Sequence, residues 1–482
     1  MRRLWLLLVF GMLAATPAHA HLGSKDVFEQ IAAGPYNLFI TIRPPNVIPG
    51  VATVEVRATG AAISTLQITP MPLTGEASKH PPAADVLKRS DADPNFYTGG
   101  VWMMASGSWQ VRFEVDGAGG RQTVSVPVPA VALTTLKMQR NLGIPLSLLG
   151  LFLVVSMAGV VAAAIREARL EPGVRPTPLL RRRGLIAMAA SLVVMALMVY
   201  GGAKWWNVEA ASYASDIYRP MTMLAKLQGD QLGLRVKGVE IGSGNNRHSF
   251  SNDDFLPDHG HLMHLYAIRE PQMDAVFHLH PELTSDGDFS MPLPAMPAGE
   301  YKLYGDVVHA NGFPETLVTT VEIPAGKPAA PIGPDDATAT PPPLSAGPLG
   351  TSYKLPDGYT MVWDKPATLT ATTAYSLRFR LLGPDGAPAT DMQPYMGMAG
   401  HAAFIKDDGT VFAHTHPEGS AAMAALDLAN GTMNAMAGMA SGPTQPTVEF
   451  PYGFPTPGPY RIIIQMKHGD TIETGVFDAT VQ

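Results

Sequence analysis

With 482 residues and a net charge of −7, the chain is long enough for several separately cored domains, and it lacks the basic excess that nucleic acid selects. Cysteine is absent, which excludes disulfides, thiolate metal sites and cysteine nucleophiles. Methionine (25) and histidine (14) are left as the soft and borderline metal donors, although methionine is ordinarily core filler.

Residues 1–20 read as a signal peptide: Arg2 and Arg3 precede the apolar run Leu4–Leu13, and Ala18-His19-Ala20 is a small-x-small cleavage site. Cleavage after Ala20 would make His21 the first mature residue, and an N-terminal histidine chelates Cu(II) through its amine and its imidazole. Residues 21–135 alternate short β-rich runs with turn signals. The runs are Tyr36–Arg43, Val51–Arg57, Trp109–Val115 and Thr123–Val128, punctuated by Pro44-Pro45, Pro49-Gly50 and Asp116-Gly117. This texture predicts a small antiparallel sandwich.

Two uncharged apolar runs follow, at 142–165 and 184–203, each near the ~20 residues a membrane-crossing helix needs. The loop between them, 166–183, holds six arginines against Glu167 and Glu171, so the positive-inside rule assigns it to the cytoplasm. Trp205 and Trp206 suit an interfacial aromatic belt. The expected location is a bacterial inner membrane, with residues 21–135 and everything after the second helix in the periplasm. A second β-rich region spans 207–325 and a third spans 351–482. The Pro/Ala/Gly-rich tract 326–350 between them reads as a linker without core-forming capacity. The fold class expected is mainly β: three small antiparallel β-sandwich domains, immunoglobulin- or cupredoxin-like, plus two transmembrane helices.

An internal repeat carries the chemistry. The second region contains His259-Gly260-His261-Leu262-Met263-His264, then Phe277-His278-Leu279-His280-Pro281-Glu282. The third contains Met396-Gly397-Met398-Ala399-Gly400-His401, then Phe412-Ala413-His414-Thr415-His416-Pro417-Glu418. Each continues into a later strand with tyrosine and histidine eight apart, Tyr301 with His309 and Tyr460 with His468. Ten of the fourteen histidines occupy these paired positions. The first region has a comparable Gly107-Ser108-Trp109 segment without histidines.

Asp408-Gly409 is a strong two-residue hairpin turn, because both positions tolerate positive φ. Folding about it pairs His401 with His416, and the period of two puts His414 on the same face, with Phe412, Ala403 and Ile405 as apolar neighbours. A turn near Gln272 does the same for His264, His278 and His280. His309, His468 and Met466 are candidate further ligands from a neighbouring strand; His259, His261, Met396 and Met398 are candidates to close over the site. Imidazole suits copper, zinc and nickel, whereas thioether favours Cu(I), so the His-to-Met exchange points to copper, with zinc as the alternative. No paired acid/base groups or nucleophile accompany the clusters, and Glu282 and Glu418 fit best as hydrogen-bonding supports. The segment Met423–Met439 reads first as a flexible loop.

In its His21 start, its Gly107-Ser108-Trp109 segment and its two His-x-His-Pro hairpins, the chain resembles bacterial membrane proteins with FixH-like, YtkA-like or CopC-like β-sandwich modules. The resemblance implies periplasmic copper handling, with an N-terminal histidine among the ligands. Buffering, delivery or sensing of copper is the function this favours, in partnership with the inner membrane and another metal-handling membrane or periplasmic protein. An envelope adhesion or scaffold protein with structural histidines, or a zinc or copper metalloenzyme, is the alternative.

Overall fold

The computed structural model describes residues 26–241, 248–326, 330–432 and 444–482. The expected signal segment, the candidate ligand His21 and the end of the Met-rich segment lie outside the described residues.

In the first region, alternation of apolar and polar residues sends Leu38, Ile40 and Ile42 inward from the strand Tyr36–Arg43. That strand lies in an antiparallel sheet with Val27–Ala33, Gly50–Gly60, Phe96–Met103 and Lys88–Arg89. A second sheet joins Asp85–Val86, Ile63–Pro72, Gly107–Gly117 and Gln122–Ala130. Both contribute to one core, with Val54 and Val56 from the first meeting Ile68, Val111, Phe113 and Val126 from the second.

Helix α1, Arg140–Glu167, and helix α2, Pro178–Ser215, cover the two apolar runs and extend beyond them, α2 by twelve residues past the expected end. The α2 start is fixed by Thr177, whose hydroxyl accepts from the Leu180 amide, with Pro178 in the first turn. Both helices are long and apolar enough to cross a membrane. Their outward residues, such as Phe152, Val193 and Leu197, are well over half exposed. Gly184 is the close approach: a Cβ there would lie 3.0 Å from the Ala162 carbonyl oxygen.

The second and third β regions are built alike. In each, a smaller sheet and a larger one enclose an apolar core. The larger sheet of the second region runs Phe255–Leu256, Gly299–His309, His264–Arg269, Val276–Leu279, Ala337–Ala339, with Pro314–Ile323 also on Gly299–His309. In the third, Met392–Gln393, Gly458–His468, His401–Lys406 and Phe412–Thr415 form the corresponding order, with Thr471–Val481 on Gly458–His468. The larger sheets also bury their second faces, against each other. Tyr266, Ile268, Val276 and Tyr304 from one pack on Ala403, Ile405, Phe412 and Ile463 from the other. Tyr304 stacks on Phe412 with ring centroids 4.3 Å apart. Arg461, fully buried and paired with Asp478, donates from Nη1 to the carbonyls of Met273 (2.6 Å) and Pro342 (3.1 Å).

Two segments depart from the sequence expectation. The proline-rich tract is not a bare tether: Ala337–Ala339 adds a strand to the edge at Val276–Leu279, with His278 opposite Ala337. Edge pairing uses backbone groups alone, so a side-chain composition too poor for a core does not prevent it. Met423–Asn430 is helix α3, ended by Gly431 in the left-handed conformation, rather than loop. Its Ala424 amide donates to Asp258 Oδ1, and its Asn430 side chain donates to the Ser125 carbonyl and accepts from the Ser125 amide.

Candidate metal centre

Both histidine hairpins adopt the registers read from the sequence. Ala402 lies opposite Thr415 and Ala403 opposite His414, the expected register, although the connection is a four-residue loop, 407–410, closed by the Lys406 amide on the Val411 carbonyl, with Gly409 (φ 66°) but not Asp408 at positive φ. Leu265 lies opposite Leu279 and Tyr266 opposite His278. Ahead of each hairpin is the same tight turn: Asp258 and His261 exchange backbone hydrogen bonds in one, Tyr395 and Met398 in the other. His259 and Met396 sit at equivalent points of these turns with φ of 52° and 49°, each followed by a left-handed glycine. The His-to-Met exchange is therefore an exchange at one structural position.

His264, His278 and His280 form the first triad. Each has one ring nitrogen occupied by an acceptor. His264 Nε2 donates to the Asp258 carbonyl (3.0 Å), His278 Nδ1 to Gln465 Oε1 (2.8 Å) and His280 Nδ1 to Asp336 Oδ1 (3.0 Å). The remaining nitrogens then carry lone pairs, and these face one another. His264 Nδ1 is 3.2 Å from His278 Nε2 and 3.2 Å from His280 Nε2. With no proton between them, three converging lone pairs repel unless a cation sits at their focus. Nitrogens held about 2.0 Å from a tetrahedral ion are roughly 3.3 Å apart, which is the spacing found. The acceptors that fix the tautomers are the outer partners that metal-bound imidazoles require. Burial, reinforced by the neighbouring imidazoles, lowers the pKa of all three rings, so they are neutral and able to coordinate. His261 covers this triad, stacked on His280 at 4.0 Å with Nε2 3.2 Å from Asp335 Oδ2; its side chain is 28% exposed.

His259, His401 and His416 form a second triad whose donor atoms lie within 4.8 Å of one another. His259 crosses from the second region to join two histidines of the third, its Nε2 3.2 Å from His416 Nε2. Both nitrogens of His401 are buried without a hydrogen-bond partner among the described residues, while the backbone of Met396 backs the His259 ring and that of Ala421 backs the His416 ring. Burial is the chief cause of the lowered pKa of all three. His414 lies between the triads, its Nδ1 3.4 Å from Asp306 Oδ2 and its buried Nε2 without a partner.

The loop after His416 is backed by the first region. Phe28 and Ser420 exchange hydrogen bonds, the Gln30 amide donates to the Glu418 carbonyl, and Glu29 Oε1 accepts from Ala421. Burial, with repulsion from Glu418, pushes the Glu29 carboxyl well up, and burial also raises Glu418. The acids supporting the histidines are thus Asp306, Asp335 and Asp336, not Glu282, which is exposed, or Glu418.

His309, His468 and Met466 do not join the cluster. They share the face of Tyr301 and Tyr460, which the cross-strand pairs place toward each region's own core; Gln465, opposite His401, is the residue that faces the histidines. Met466 is packed in that core. His309 is held by Asp254 (2.8 Å) and Glu315 (3.2 Å). Burial acts to lower its pKa, but those bonds prevail and raise it. His468 stacks on Tyr359 and bonds Asp391, Asp357 and Glu473; burial pushes Glu473 up to about 7. Met396 and Met398 stay in their turn, Met398 buried and Met396 half-buried. Gln465, Asp306, Asp335 and Asp336 were missed by the sequence reading, although Asp335-Asp336 are the sole acids in the proline-rich tract.

A family model described as a domain of unknown function, DUF8832, matches residues 241–325 and 353–482, less than half of the chain but including both histidine hairpins. No curated protein matches it. Among solved structures, an engineered protein is 19% identical over 21% of this chain and 21% of its own, with a TM-score of 0.16. A tetra-tandem repeat from the extending region of a large adhesion protein is 8% identical, covering 91% of this chain and 72% of its own (TM-score 0.17). Escherichia coli α2-macroglobulin is 7% identical, covering 92% and 30% (TM-score 0.19). TM-scores this low fall short of a shared fold.

Two pH effects of opposite sign follow. The triad histidines have folded pKa values below the ordinary 6.5. The unfolded chain therefore takes up protons that the fold does not, and metal-free protein should lose thermal stability as pH falls below about 6.5. A melting temperature flat from pH 7.5 to 5.5 would contradict this. Glu29 behaves inversely: its folded pKa lies above 4.5, so its ionisation penalty grows as pH rises from there. Glu29→Gln keeps the acceptor for Ala421; it should raise the melting temperature at pH 8 and leave it nearly unchanged at pH 4.

Proposed function

We propose that this protein is a membrane-anchored transition-metal-binding protein, with copper as its ion and zinc as the alternative. The observation that carries the reading is the convergence of three neutral, buried imidazole lone pairs, that of His264 3.2 Å from each of the other two, with each ring fixed from behind by an acceptor. A nitrogen-only site of this kind binds copper ahead of zinc by intrinsic affinity. Met466, packed in a core, supplies no thioether to it.

The anchor is the pair α1 and α2, whose intervening arginine-rich loop favours the cytoplasm. With the signal-like start, this supports a periplasmic location at a bacterial inner membrane for the three β regions, read as small immunoglobulin- or cupredoxin-like sandwiches. Buffering or delivery of copper there, handing the ion to another metal-handling protein, agrees with the likeness to FixH-like, YtkA-like and CopC-like modules. His261 gives the first triad its one partly exposed ring, a place where an ion can enter or leave.

Metal content of the full-length protein in detergent, after loading with copper or zinc and desalting, tests the reading. Copper should be retained, and Asp336→Asn, which weakens the fixation of His280, should lower affinity about 10–100-fold. A folded chain that retains neither metal would support the adhesion or scaffold alternative instead.

A further inference from the structure

The two triads are neighbours. The ring of His264 lies 6.0 Å from His259 and 6.5 Å from His401, and His278 lies 6.1 Å from His401. The ring of His414 stands 5.4 Å from His264, 5.5 Å from His278, 5.5 Å from His401 and 4.9 Å from His416. We infer that the cluster is a two-ion centre, with an outer ion on His264, His278 and His280 and an inner ion on His259, His401 and His416.

This rests on the metal-binding reading above and adds number, order and linkage to it. One ion does not account for the rings. The outer triad directs all three of its available lone pairs at one point, and its other nitrogens are committed to Asp258, Gln465 and Asp336. In the inner triad Nε2 of His259 and Nε2 of His416 face each other, their rings backed by the backbone of Met396 and of Ala421, while His401 and His414 hold buried nitrogens without a partner among the described residues. Buried polar nitrogens are retained unpaired only where something else satisfies them, and for neutral imidazole a borderline divalent cation does so. The nitrogen spacing repeats as well, 3.2 Å between His259 and His416 as between the outer pairs.

Charge balance permits two ions so close together. Asp336 pairs with His280, Asp335 with His261 and Asp306 with His414, while Asp258 is buried beside His259. Four carboxylates thus surround a site that would hold four positive charges as two divalent ions. Repulsion between neighbouring cations, large in a low-dielectric interior, is offset by that shell.

The two positions differ in access and in what they join. The outer triad is capped by a partly exposed His261. The inner triad is closed, with His259 8%, His401 0% and His416 3% exposed. His414, facing both, is the ring past which an ion reaches the inner position. The outer ion is bound by one β region alone, whereas the inner ion takes one ligand from the second region and two from the third. It therefore cross-links them, and its binding is coupled to the packing of the two sheets.

The test is copper stoichiometry of the full-length detergent-solubilised protein, loaded with excess Cu(II) and desalted, read with electron paramagnetic resonance. Wild type should retain two ions per chain with a spectrum broadened or attenuated by spin coupling. His259→Gln and His280→Gln should each retain one, with the spectrum of an isolated Cu(II), the retained ion itself reporting that the variant is folded. A wild type with one ion, unchanged in His259→Gln, overturns the two-ion inference and leaves the metal-binding reading standing. Two ions in His259→Gln overturn the assignment of the inner triad. A wild type that retains none overturns both.

Discussion

The burial of the histidine-bearing face of one sheet against that of another is the constraint on which the rest of the structure depends. A sheet of a small β domain ordinarily keeps one face for its core and gives the other to water. Here His264–Arg269 and His401–Lys406 are buried on both faces, nearly to the last residue. Tyr266, Tyr304, Phe412 and Ile463 supply the apolar part of that second interface, and the imidazoles occupy its end. Removing so many rings from water is unfavourable unless each nitrogen finds a partner. The outer triad meets that demand with three acceptors drawn from the turn at Asp258, the strand at Gln465 and the tract at Asp336. At the inner triad His401 leaves it unmet among the described residues.

Much of the surrounding structure serves to hold this interface. The proline-rich tract lies along the edge of the sheet and delivers Asp335 and Asp336. Helix α3 takes a carboxylate oxygen of Asp258, whose carbonyl holds His264. The first region, which has no histidines in the site, steadies the loop after His416 through Phe28, Glu29 and Gln30. A domain without ligands thus bears on one that has them, by fixing the backbone that follows a ligand.

The hairpins were legible in the sequence because their determinants are local. A short turn and a period of two suffice to place His401, His414 and His416, or His264, His278 and His280, on one face. Four strands of the first region were legible for the same reason, whereas Val27–Ala33, Ile63–Pro72 and Phe96–Met103 were not read. What could not be read was which face of the neighbouring strand meets the histidines. His309 and His468 were favoured by their eight-residue spacing from a tyrosine and Met466 by sharing the strand face of Tyr460, yet pairing puts Gln465, one residue over in parity, across from His401. Nor does sequence spacing reveal that His259 leaves its own region's triad for the other, since that depends on how two sheets stack. The uninterrupted apolar runs around both histidine strands, LYAI and AAFI, were the available sign of burial on two faces.

X-ray absorption at the copper edge of the loaded full-length protein tests the central claim most directly. The account predicts a first shell of three or more imidazole nitrogens at about 2.0 Å, with the outer-shell scattering of histidine rings. A first shell of sulfur, or of oxygen without that ring scattering, would contradict it.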